Sequence, residues 1–224
     1  MKPGPGATGA PAGMHGQGAV FLDAIILAGG RGQRMGGTEK AFLRLGRGNP
    51  GGRDGTTFIE HLVATLAPLV RSVIVSTNDP RQYSHLAGVR VVPDEKPGQG
   101  PLMGLYVGLK ASSAEWCLVT CVDAPLVQVG LIRLLASETP GFDAVVPVWE
   151  RGPEPLCALY ARRCLPAIEK TIHLRRVVSF YPSVRVNLLP EAAVRGVDPE
   201  GLSFFNTNTI EDYDRLLTMQ EAMK

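Results

Sequence analysis

The stretch LDAIILAGGRGQRMGGTEK (22–40) decides the reading of the fold. Its first part, Leu22 to Ala28, is a short apolar run rich in Ile and Leu and reads as a buried strand. Gly29, Gly30 and Gly32 follow at once, then Gly36 and Gly37, interleaved with Arg31, Arg34 and Lys40. A glycine turn leaving a strand lies at the carboxyl edge of the sheet, where open α/β folds bind ligands. Backbone N–H groups without side chains in the way can approach a phosphate chain there, and the three cations can offset its charge. On glycine content alone, an ordinary flexible turn is the competing reading. Two familiar phosphate loops fail: GxGxxG from Gly30 needs glycine where Met35 stands, and GxxxxGK[ST] needs glycine rather than Glu39 before Lys40.

Similar runs recur along the chain as SVIVST (72–77), VRVVP (89–93), WCLVTCVD (116–123), DAVVPVW (143–149) and VRVNLL (184–189). Between them FIEHLVATLAPLV, PLMGLYVGLKASS, VGLIRLLASE and CLPAIEKTI space apolar residues three and four apart, the period of an amphipathic helix. The alternation predicts an α/β fold, a Rossmann-like three-layer α/β/α sandwich whose mostly parallel sheet carries helices on both faces. WERGPEP (149–155) is turn-forming, and the LCALYARRCLPAIEK after it reads as a strand running into a helix. The glycine-rich GRGNPGGRDGTT (46–57) reads as a surface loop.

The 224 residues are one domain's worth of chain, and 45% apolar with 20% charged residues is globular composition. A formal charge of +2 gives no reason to expect a nucleic-acid partner. No apolar window approaches the ~18 residues of a membrane span, so no membrane association is expected. Residues 1–20 contain nine Gly and Pro and no signal-peptide core. They read as a disordered tail, with a single domain over 21–224 and a cytoplasmic location. Cys117, Cys121, Cys157 and Cys164 lack zinc-site spacings and read as small thiols in a reducing compartment. His15, His61, His85 and His173 are scattered without ligand spacing.

Asp123 is the foremost single candidate. It ends the run WCLVTCV, so its carboxylate should emerge at the same sheet edge as the glycine turn. A hard carboxylate among phosphate oxygens suits Mg²⁺; the alternative is a helix N-cap ahead of Pro125. Asp94, after VRVVP, is a turn aspartate or a site residue. Gly100 and Gly104 bracket a helix start that either approaches a ligand or packs tightly. Asn206 and Asn208, two apart, share a side of an extended segment, unless they serve to cap the last helix. Arg175 and Arg176 could receive an anionic phosphate or form a solvated helix face.

Leu27-Ala28-Gly29-Gly30, then Arg34-Met35-Gly36 and Lys40, resemble without gaps the LAGGxxxRMGxxK loop of a nucleotidyltransferase family. Pro93-Asp94, Gly100-Pro101-Leu102-Met103-Gly104, Val119 to Pro125, Pro155 to Tyr160 and Phe204 to Thr209 follow in the family's order. The whole is similar to the molybdenum cofactor guanylyltransferases, and Ala28-Gly29-Gly30 differs from the two alanines and single glycine usual in the related cytidylyltransferases. The resemblance implies a nucleotide-diphospho-sugar transferase type of fold. It also implies transfer of GMP from GTP to molybdopterin, with Mg²⁺ as cofactor and an upstream cofactor-insertion protein handing over the pterin. It puts Leu27, Ala28, Gly29, Gly30, Lys40, Ser76, Asp94 and Asp123 at the nucleotide, and Arg34, Lys40 and Asp123 at the chemistry. It puts Gly100, Gly104, Arg175, Arg176, Asn206 and Asn208 at the acceptor, with Asp123 and Asn208 on the metal. Two other functions stay open, cytidine transfer to the same acceptor and a noncatalytic nucleotide- or cofactor-binding module. The long 46–57 loop and Glu154 before Pro155 depart from the family pattern.

Overall fold

The computed structural model describes residues 22–29, 34–35, 38–46, 55–94 and 100–222, with the backbone alone at Arg34, Met35 and Ala222. The expected tail, Gly30 and most of the 46–57 loop lie outside the described residues. The chain builds β1 (Leu22–Leu27), α1 (Phe58–Leu66), β2 (Val73–Thr77), β3 (Val89–Pro93), α2 (Pro101–Ala111), β4 (Trp116–Cys121) and α3 (Val129–Ser137). It continues with β5 (Ala144–Trp149), β6 (Gly152–Pro153), β7 (Ala158–Ala161), α4 (Leu165–Thr171), β8 (Val186–Leu189), α5 (Glu191–Arg195) and α6 (Ile210–Ala222). These strands form one sheet in the order β6-β5-β7-β4-β1-β2-β3, with β8 also paired to β5.

β3, β2, β1 and β4 are parallel, as the strand and helix alternation predicts. β7 runs antiparallel to both β4 and β5. The reason is the connection: only residues 150–157, which include the two-residue β6, separate β5 from β7, and a parallel return needs a crossover of a dozen or more residues. Chain order reverses at β1, because the first crossover leads to β2 on one side and β4 pairs on the other. A crevice opens beyond the carboxyl ends of strands at such a switch point.

The two-residue period of β1 separates the two cores. Ala24 and Ile26 pack with Ile59, Leu62 and Leu66 of α1 and Leu131, Ile132 and Leu135 of α3. Ile25 and Leu27 pack on the opposite face with α2, Ile168 of α4 and Phe180. Three layers result. α2 lies close against the sheet because it carries glycine where it crosses β1: a Cβ at Gly108 would stand 2.6 Å from Ile25 Cγ2. At Gly104 it would stand 2.9 Å from Leu27 Cδ2 and 3.1 Å from Ser76 Oγ. α1 starts with a reciprocal box in which the Thr57 hydroxyl accepts from Glu60 N while Glu60 accepts from Thr57 N. Among the described residues no helix is long and apolar enough to cross a membrane.

At the far end of the sheet, Asp143 ties three segments together. It accepts from Arg163 Nε (2.6 Å), Arg185 N (2.8 Å) and Arg185 Nε (3.3 Å). Hydrogen bonds from Arg185 and Arg163, against a smaller penalty from burial, hold its carboxyl well below the usual range. A carboxyl lowered by folding contributes stability above its unfolded pKa of ~4, and loses it as pH falls toward the folded value. Asp143→Asn is therefore expected to cost about 1–2 kcal/mol at pH 7, the partly exposed guanidinium groups limiting the loss. Urea midpoints of both proteins at pH 7 and in acid check this. The difference should narrow in acid, and equal midpoints at pH 7 would remove the assignment.

Candidate active site

Four strand ends meet at the switch point. Ala28 N donates to Ser76 O (2.8 Å), Val122 N to Leu27 O (3.1 Å) and Asp94 N to Thr77 O (3.0 Å), so the exits of β1, β2, β3 and β4 are stitched together. Gly29 then runs beside Asp94: a Cβ there would come within 3.0 Å of Asp94 Oδ2 and 3.4 Å of Asn78 Nδ2. Ser76, buried, donates to Asp94 Oδ1 at 2.7 Å. Burial raises the Asp94 carboxyl and the Ser76 hydrogen bond partly opposes this.

Lys40 opens a short 3₁₀ turn, Lys40–Phe42, and is only 3% exposed. Its ammonium donates to Asn208 Oδ1 at 2.8 Å and lies 3.3 Å from Asp123 Oδ2. Three segments separated by 83 and 168 positions thus meet on one charge. Burial raises the Asp123 carboxyl, while the Lys40 charge and hydrogen bond pull the other way. Asp123 Oδ1 is buried and has no hydrogen-bond partner among the described residues. An ionised carboxylate oxygen left so would carry a large desolvation cost, which a cation in contact with it would relieve. No group of three or more His, Cys, Asp or Glu able to hold a metal exists among the described residues. The donors present therefore fit an ion that keeps most of its ligands as water and phosphate oxygen, as Mg²⁺ does.

Asn208 reaches Lys40 because other residues cap α6. Thr209 Oγ1 accepts from Asp212 N (3.1 Å), and Asp212 Oδ2 accepts from Thr209 N (2.9 Å) and Asn208 N (3.0 Å). The Asn208 side chain is thus not used as a cap. Thr207 N donates to the Asp123 carbonyl (2.8 Å), which lays the Asn206 to Asn208 segment along the end of β4. Asn206 stands beside the Cys121 thiol, at 3.9 Å, and donates to Phe204 O.

The expected acceptor residues separate into two places. Gly104 is buried beneath Asp94, Leu27 and Ser76, where it permits close packing and has no open face. Gly100 is exposed at the start of α2 with φ 77°, and a Cβ on it would strike the Arg175 carbonyl at 2.9 Å. Arg175 itself is left-handed with φ 61°, so both it and Arg176, each exposed, stand at the rim beside the amino end of α2. Arg34 lies in a two-residue strand paired with Glu39, and its side chain, like Gly30, lies outside the description.

Two residues escaped the sequence reading. Asn78 follows β2 directly and faces Gly29, a placement signalled only by a polar residue at the end of a strand. Tyr213, on α6, donates to Arg44 O at 2.6 Å and packs on Phe58, whose N–H bonds Leu43 O. It joins the Lys40 segment to the Asn208 segment a second time, just behind the site, and nothing local in the sequence signals that contact.

Comparison with known proteins agrees with this geometry. A molybdenum cofactor guanylyltransferase of Desulfosudis oleivorans is 34% identical over 194 residues, which cover 85% of this chain and 92% of that protein. A probable molybdenum cofactor guanylyltransferase of Pelotomaculum thermopropionicum is 36% identical over 199 residues, 88% of this chain and 92% of the relative. The crystal structure of molybdopterin-guanine dinucleotide biosynthesis protein A from Archaeoglobus fulgidus matches 90% of this chain and 100% of its own, with TM-score 0.73 and 27% identity. The sandwich is accordingly of the nucleotide-diphospho-sugar transferase type that the loop resemblance implied. The family model of the MobA-like NTP transferase domain matches residues 24–185, from β1 through the acceptor rim, so by sequence, fold and site the chain belongs to the MobA-like NTP transferase family.

Proposed function

We propose that this nucleotidyltransferase moves GMP from GTP to the terminal phosphate of molybdopterin, releasing pyrophosphate and forming molybdopterin guanine dinucleotide. The observation that carries the reading is the meeting of Lys40, Asp123 and Asn208 at the carboxyl edge, beside the Gly29 turn. Relatives at 34–36% identity carry the guanylyltransferase name.

The acceptor oxygen attacks the α-phosphorus in line with the leaving pyrophosphate. A phosphate monoester is already largely dianionic near neutral pH, so no general base is needed and the protein's work is alignment and charge neutralisation. Mg²⁺, held by Asp123 with Asn208, would supply positive charge between the two anions. Lys40, with Arg34 and the amides of the glycine turn, stabilises charge growing on the pyrophosphate. Asp94 and Ser76 fix the nucleotide side of the site, while Gly100, Arg175 and Arg176 receive the acceptor phosphate at the rim. Asn206 orients the acceptor from the end of β4. The setting is taken to be cytoplasmic.

The test offers GTP and CTP together with molybdenum-loaded molybdopterin and Mg²⁺, and weighs the products. A guanine dinucleotide with pyrophosphate is expected. A cytosine product alone would reassign the donor, and no product from folded, nucleotide-binding protein would favour a binding module. In the same assay Tyr213→Phe, which keeps the ring against Phe58 but loses the bond to Arg44 O, is expected to lower kcat ~10-fold, below the ~10²-fold cost of a 1 Å misplacement. An unchanged kcat would make that bond irrelevant to the site.

A further inference from the structure

The Lys40 ammonium sits in a seat made of two oxygens, Asp123 Oδ2 and Asn208 Oδ1, with only 3% of the residue exposed. These are the side chains that the proposed reading gives to the divalent cation, and the inference rests on that reading. An ammonium 3.3 Å from a partly buried carboxylate already neutralises it, and a dication entering the same seat meets a like charge. The other carboxylate oxygen, Oδ1, is buried and has no hydrogen-bond partner among the described residues, so the ammonium fills the seat only in part.

We infer that Lys40 stands in for the cation in the free enzyme and is displaced when metal and nucleotide enter together, its ammonium passing from Asp123 and Asn208 to the triphosphate. Lysine suits the exchange because its charge is compact and its four-carbon stem flexible, whereas an arginine fork is held by geometry. The triphosphate supplies the oxygens that the ammonium needs once it leaves, and the departure frees Asp123 Oδ2 and Asn208 Oδ1 for the metal. Metal alone therefore binds against Lys40, and metal with nucleotide binds with its help. The coupling is reciprocal, so each ligand strengthens the other by the same factor.

The test is Mn²⁺ binding to the full chain, followed by electron paramagnetic resonance, with and without GTP and with no acceptor, the GTP series being read against Mn²⁺ and GTP without protein because the triphosphate itself holds the ion. Wild type is expected to bind Mn²⁺ weakly alone and ~5- to 150-fold more tightly with GTP. Lys40→Met should bind Mn²⁺ alone at least ~5-fold more tightly than wild type and lose most of the gain from GTP. Arg44→Met removes the same charge from a nearby position off the seat, and screening should keep its Mn²⁺ affinity within about twofold of wild type. Equal Mn²⁺ affinity in wild type and Lys40→Met overturns the inference, as does an equal gain in Arg44→Met. If Asp123→Asn also binds Mn²⁺ like wild type, the metal reading itself has failed. Wild type gives a second arm that needs no folded variant. Saturating Mn²⁺ without nucleotide should speed acetylation of the Lys40 amine, read by peptide mass, and an unchanged rate again overturns the displacement.

Discussion

Asp123→Asn is expected to lower turnover by at least ~10³-fold in a protein that still folds. Asparagine keeps the shape of the side chain and leaves the Thr207 N–H bond to the Asp123 carbonyl in place, so the segment carrying Asn206 and Asn208 stays against β4. What is lost is the negative charge and one of the two acceptor oxygens, an NH₂ group taking the place either of the oxygen that faces Lys40 or of the buried Oδ1, which has no partner among the described residues. Lys40 loses its counter-ion and keeps only Asn208, so a fall in melting temperature should accompany the change. The measurement is single-turnover formation of the guanine dinucleotide, run well below the melting transition recorded by circular dichroism. Turnover within ~10-fold of wild type in a folded protein would take Asp123 out of the chemistry, because loss of one preorganised transition-state contact alone costs ~10²- to 10³-fold.

The parts of this site that the sequence discloses are those with a local signal. Leu22 to Gly29 is readable because an apolar run and a glycine turn occur next to each other, and together they locate the sheet edge before any pairing is known. Asp123 is readable for the same reason at the end of β4. The contact between Lys40 and Asn208 spans 168 positions and depends on how crossovers return the chain, so spacing alone leaves Asn208 divided between capping and catalysis. The sequence does hold a signal that divides the two roles: Thr209 and Asp212 have the spacing of a capping box, and that box frees Asn208.

Glycine carries a less specific signal than charge. Gly100 and Gly104 look alike in GPLMG, yet one is an exposed positive-φ helix cap against Arg175 and the other a contact surface against Leu27 and Ser76. Only the position of β1 beneath α2 tells them apart. The antiparallel β7 escapes the alternation rule because a short return through β6 replaces the helix that the rule assumes. Glu154, unusual before Pro155, lies on that return, where its N–H bonds Pro147 O and burial raises its carboxyl. That placement makes it part of the turn between β5 and β7. Asn78 and Tyr213 have no motif at all, since one is a single polar residue after a strand and the other one tyrosine in a helix.

Lys40→Met is the second large effect expected, a ~10²- to 10³-fold loss of kcat, or about 2.7–4 kcal/mol of transition-state stabilisation. Methionine keeps an unbranched stem of similar length in a position that is 3% exposed, so packing of the Lys40–Phe42 turn should survive while the charge is removed. The loss should fall mainly on kcat, with a smaller rise in the KM for GTP from the contact that the ammonium makes with the bound triphosphate. Charge on the pyrophosphate oxygens grows as the α-phosphorus bond breaks, so the ammonium gains more in the transition state than in the ground state. The same variant is expected to bind Mn²⁺ alone more tightly, so better metal binding should coincide with slower chemistry, a combination that general damage to the site would not produce. Steady-state pyrophosphate release across a range of GTP concentrations checks the division. A raised KM with unchanged kcat would mean that Lys40 contributes uniform binding only. Lys40→Arg should not restore the rate, because a planar fork cannot occupy the small seat between Asp123 and Asn208 and then transfer to phosphate along one flexible stem. Full rescue by arginine would show that positive charge near the phosphates is enough, and that its movement is not needed.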